Sequence, residues 1–92
     1  MSLSAPGLGD VVHYRGNQGL HAMRAAMVTA TTATLDPRGV EAGHVPPLTD
    51  EQHVHLWVFT PSSAGGFAEY DVPRGEPGPG GEIPPGTWRP AG

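Results

Sequence analysis

The sequence predicts a mainly β fold: a small antiparallel SH3-like barrel or rolled sheet of four to six strands, with a Gly/Pro-rich C-terminal arm. Three observations predict it. β-branched and aromatic runs recur between turn residues, at Val11–Arg15, 53–60 (HVHLWVFT) and 67–72 (FAEYDV). No segment sustains a helical apolar period over several turns. Of the 14 Gly and 11 Pro, 11 fall in the 18 residues 75–92, so the chain divides into a domain at 1–74 and an arm at 75–92.

The first strand, Val11–Arg15, is bracketed by Gly9-Asp10 and Gly16. The next run is mixed. LHAMRAAM places Leu20, Met23 and Met27 at helical spacing, but Val28-Thr29-Ala30-Thr31-Thr32 favours a pleated surface, so a strand is expected from about Ala25 onward. Asp36-Pro37-Arg38-Gly39 carries the residue order of a type I turn. Pro46-Pro47 interrupts any ladder, and Thr49-Asp50-Glu51-Gln52 has the form of a capping box ahead of a strand, enough for one helical turn at most.

In 53–60, alternation points Val54, Leu56 and Val58 one way and His53, His55, Trp57 and Phe59 the other. The aliphatic side is the expected core. In 67–72, Ala68, Tyr70 and Val72 are the expected inward set. The core is then Val11, Val28, Val54, Leu56, Val58, Tyr70 and Trp88, which is thin for a domain without disulfides and makes assembly a natural source of added stability. Thr87–Pro90, with its lone Trp, is read as a closing strand docked on the domain.

Composition excludes several classes. With no Cys there is no disulfide, thiol nucleophile or thiolate-bound metal. A net charge of −4, with five Arg against nine acids, argues against nucleic acid as a partner. No apolar run is long enough for a membrane span, and the first residues lack the pattern of a signal peptide, so bacterial cytoplasm or a virion is the expected location. The basic residues are all Arg, which with the Ala, Gly and Pro content fits a GC-rich genome.

Five histidines (His13, His21, His44, His53, His55) are the most unusual polar feature. His53 and His55 share a strand face about 7 Å apart, within reach of one divalent ion, with His13, His44 or Glu51 as a third ligand. The bland alternative is a pair of edge histidines beside Trp57. Ser62 and Ser63 lack the Gly-x-Ser-x-Gly elbow of a nucleophile. Glu69 and Asp71 share a face without room for a cleft, and Gly78-Pro79-Gly80-Gly81 lacks the Lys and helix of a phosphate loop. No enzyme and no cofactor is expected. Trp57, Phe59, Trp88 and Arg89 are the candidate interface residues, since aromatics with Arg typify interface centres.

Gly9-Asp10-Val11-Val12-His13-Tyr14, Arg24-Ala25-Ala26-Met27-Val28-Thr29 and Gly86-Thr87-Trp88 resemble segments of small uncharacterised β-domain proteins of actinobacteria and their phages. The insertion from Asp36 to Gln52 departs from them, standing where a tight turn is expected. The resemblance covers about 20 of 92 residues. It implies a compact β domain in a phage or prophage setting and carries no catalytic residues over. The functional expectation is therefore a non-catalytic structural or interaction module, with a virion component such as a capsid decoration or tail protein as its setting. Its partners are another protein or copies of itself. The alternative is a small metal- or ligand-binding protein using the His53/His55 face.

Overall fold

The computed structural model describes residues 6–16, 23–60 and 65–91. Five strands, β1 (Val11–Arg15), β2 (Met23–Ala30), β3 (Val54–Phe59), β4 (Gly66–Val72) and β5 (Thr87–Pro90), form one antiparallel sheet in the order β4-β3-β2-β1-β5, with one short helix, α1 (Pro37–Glu41). β1 to β4 follow one another as a meander. β5 returns to pair with the free side of β1, setting His13 opposite Arg89 and Tyr14 opposite Trp88.

The sheet is open, so the expected closed, SH3-like barrel is corrected. Among the described residues, the chain leaving β4 meets β5 at a single parallel bridge, Arg74 to Trp88. The Gly75 N–H donates to the Trp88 carbonyl at 2.8 Å and the Trp88 N–H to the Pro73 carbonyl at 3.1 Å. Pro73 and Pro77 lack the amide donors that a longer ladder would use, so the pairing stops there.

The core lies on the inner face, where Val12 and Tyr14, Ala26 and Val28, Val54, Leu56 and Val58, Val72 and Trp88 are buried, with Phe67 packed against them. Two expected core residues are corrected: Val11 is 52% exposed and Tyr70 57%. Val11 pairs with Met27 on the outer face, which turns Val12 and Tyr14 inward. Tyr70 is displaced by a bulge. Leu56 pairs with Glu69 and Val54 with Val72, so Tyr70 and Asp71 together oppose His55. Asp71 accommodates the extra residue with φ of 51°. Val72 points inward as expected, whereas earlier in the strand Phe67 and Glu69 take the inner side and Ala68 faces solvent.

β2 starts at Met23, so over 23–27 the helical spacing yields to strand; residues 17–22, with Leu20 and His21, lie outside the described residues. It ends at Ala30, before Thr31 and Thr32. The Thr31 N–H bonds Thr34 Oγ1 at 2.8 Å, and the Thr31 carbonyl accepts from the Thr34 and Leu35 amides, a local alternative to the ladder. The expected type I turn at 36–39 proves to be the start of α1. Asp36 accepts from the Arg38 N–H as N-cap and Pro37 occupies the first turn, a residue order that both structures favour. At 49–52 the chain makes turns without a helix.

The arm is folded onto its own chain. Arg15 Nη1 donates to the Ile83 carbonyl at 2.6 Å, the Gly86 N–H to the Arg15 carbonyl at 2.7 Å and Thr87 Oγ1 to the Pro84 carbonyl at 2.6 Å. Ile83 is buried, and Gly75 is packed so tightly that an added Cβ would stand 2.7 Å from that of Ile83.

Candidate functional site

β-strand alternation gives the sheet an outer face that, among the described residues, no other element covers fully. Strand pairing places Val11, Met27, Trp57 and Ala68 in one row across β1, β2, β3 and β4. Phe59 and Tyr70 lie on the same face. Trp57 is 41% exposed and Phe59 43%, a large apolar area for an outer sheet surface. Toward β5 the same face becomes basic, with His13 opposite Arg89 and Arg15 beside them.

Three of the four sequence-predicted interface residues, Trp57, Phe59 and Arg89, therefore share this face. Trp88 does not: it is 1% exposed on the inner side. Its indole N–H donates to the Gln52 carbonyl at 3.0 Å, and the Arg74 guanidinium lies 5.2 Å from its ring centre. It works as a core anchor of the arm.

Gly66 sets the pose of Trp57. A Cβ there would stand 2.6 Å from the indole Nε1 and closer still to the Val58 carbonyl, so the absence of a side chain admits the ring over β4. Gly66→Ala is expected to cost on the order of 1–3 kcal/mol by overpacking and to alter the near-UV circular dichroism of Trp57. Chemical denaturation followed by that signal checks it.

The two histidines are differently employed. His53 Nδ1 lies 2.8 Å from Asp50 Oδ1, an exposed pair whose hydrogen bond lowers the Asp50 carboxyl from its ordinary value, helped by the Gln52 N–H. His55 is 3% exposed, although it belongs to the outer face, with Pro46 and Tyr70 against its ring. Its Nδ1 accepts the Asp71 N–H at 3.0 Å, which leaves Nε2 as the donor to the Pro46 carbonyl at 2.7 Å. The Tyr70 ring packs edge-on against it, with centroids 5.2 Å apart. Both ring nitrogens of His55 are thus bound to main chain, so the pair does not present two free imidazoles to one ion. His13 lies near β5, whereas His44 and Glu51 are exposed in the segment between β2 and β3. Among the described residues no three His, Cys, Asp or Glu side chains gather as a metal site.

Sequence reasoning missed the fastening made by Asp71. Its carboxylate accepts the Thr49 N–H at 2.8 Å and the Thr49 hydroxyl at 2.6 Å. Desolvation opposes its charge, but the Thr49 bonds and the nearby His53 and His55 outweigh it, so the carboxyl is held below its ordinary value. The position-specific signal, an Asp in a β run able to adopt positive φ, is visible only once the bulge is known. On the inner face, burial pushes the Tyr14 hydroxyl up, reinforced by Glu69 and partly offset by Arg24. Ser62 and Ser63 lie outside the described residues.

Fold and site together define the class: an open five-stranded antiparallel sheet domain with an exposed aromatic face and a basic margin. No family model, no curated protein and no solved structure matches the chain.

Proposed function

We propose that this chain is a non-catalytic structural or interaction module whose outer sheet face docks on another protein surface, most simply a second copy of itself. The observation that carries the reading is the joint exposure of Trp57, Phe59 and Tyr70 beside Met27 on one side of the sheet. Full burial of such a side chain is worth roughly 1.5–3 kcal/mol, and because these are already about half buried, a partner's cover adds roughly half of that for each. A phage virion component, a capsid decoration or tail protein, is the setting in which neighbouring subunits would supply the cover. That setting rests on the sequence resemblance described above.

Light scattering across a wide dilution series tests the reading. The wild-type chain is expected to gain mass with concentration, whereas Trp57→Ser with Phe59→Thr stays monomeric with an unchanged fold by circular dichroism. A wild type that remains monomeric throughout counts against self-association. Equal association by the double variant moves the interface off this face.

A further inference from the structure

Arg89 stands between two hollows, and its surroundings run against the charge of the chain as a whole. One hollow, about 550 Å³, is lined by Arg15, Met23, Arg89 and the turn 80–83. The other, about 540 Å³, is lined by His13, Arg74, Arg89 and the arm at 75–77 and 90–91. Three of the five Arg in a chain of net charge −4 thus gather at the β1–β5 margin, joined by His13. Two acids accompany them, Glu82 at 3.7 Å from Arg15 and Glu76 in the second hollow; Glu82 is 79% exposed and free to swing aside.

The guanidinium groups are partly committed, in ways that leave donors open. Arg15 spends Nη1 on the Ile83 carbonyl. The Arg74 guanidinium carbon lies 5.2 Å from the centre of the Trp88 ring, a cation–π contact. Arg89 lines both hollows and makes one long bond, 3.4 Å to the Gly81 carbonyl, so most of its planar fork is open. A fork of this kind matches a carboxylate bidentately.

We infer that the β1–β5 margin is a binding site for an acidic peptide segment, with Arg89 at its centre and one carboxylate seated in each flanking hollow. A single-stranded nucleic acid would need aromatic platforms beside the cations, and neither hollow is lined by Phe, Tyr or Trp. The inference goes beyond the aromatic face and does not depend on self-association.

The test uses the full chain and a fluorescently labelled hexaglutamate peptide, followed by anisotropy at low salt. Saturable binding is expected, weakening as salt is raised. Arg89→Gln is expected to weaken it by about tenfold, equal to ~1.4 kcal/mol, with the melting temperature little changed. Glu82→Gln should tighten it by removing a competing carboxylate. Trp57→Ser should leave it unaltered, which separates this site from the aromatic face. No saturable binding, binding indifferent to Arg89→Gln, or preference for a single-stranded oligonucleotide over the peptide would each overturn the inference. Arg15→Gln is a poor variant here because Arg15 also holds the arm.

Discussion

Trp88→Ala is expected to remove a large share of the stability of the domain, and deletion of residues 75–92 to unfold it outright. Replacing a buried Trp with Ala removes about 3–5 kcal/mol, against a total of roughly 5–15 kcal/mol for a domain. This core is small, and Trp88 is the largest of its fully buried side chains. The loss also propagates: Tyr14 loses its cross-strand partner, the Gln52 carbonyl loses its donor and Arg74 loses the ring beneath it. Trp88→Phe separates these contributions. It keeps most of the apolar area and removes the indole N–H, so a cost of about 1–3 kcal/mol is expected from the carbonyl left unpaired. Urea denaturation measures both variants, through a lower midpoint with an unchanged slope for Phe. A truncated chain that still unfolds cooperatively would show that the arm is an appendage.

That expectation marks how far the sequence could be read. The strands are legible because each lies between turn residues and carries β-branched or aromatic side chains: β1 and β5 coincide with their sequence expectations and β3 and β4 differ at their ends. The inner face of β3 follows from alternation alone, with Val54, Leu56 and Val58 all buried. Alternation fails in β4 because a bulge shifts the period by one residue, and nothing local in FAEYDV announces the positive φ of Asp71. It is ambiguous in β1, where Val11 and Val12 are equally apolar and only pairing with β2 and β5 decides which turns inward.

The candidate site is legible to the same depth. Trp57 and Phe59 emerge on the face opposite the aliphatic residues because strand geometry allows nothing else. The basic margin was not legible, since Arg15, Arg74 and Arg89 are far apart in the chain and meet only through the return of β5 to β1. Composition was misleading about the arm. Gly and Pro disfavour helix and ladder, yet the arm is held by the Arg15 guanidinium donating to the Ile83 carbonyl and by the Gly86 amide donating to the Arg15 carbonyl, which composition does not register.

His55→Ala is expected to destabilise the domain by roughly 1–3 kcal/mol for each main-chain group left without a partner, here the Asp71 N–H and the Pro46 carbonyl. These two bonds tie the 36–53 segment to the bulge, and the ring also supports Tyr70. The effect should be local before it is global: in hydrogen exchange the Asp71 and Thr49 amides lose protection first, because Thr49 is held by the same bulged residue. His55→Gln is the informative companion, since its amide can offer one acceptor and one donor in place of the two ring nitrogens. Partial recovery by Gln, together with no recovery by the near-isosteric apolar Leu, would show that hydrogen bonding at this position matters more than volume. If Leu recovers as much stability as Gln and Ala recovers none, His55 serves as filler. The fastening of the segment would then rest on the Asp71 carboxylate and Thr49, whose two bonds do not include the ring of His55.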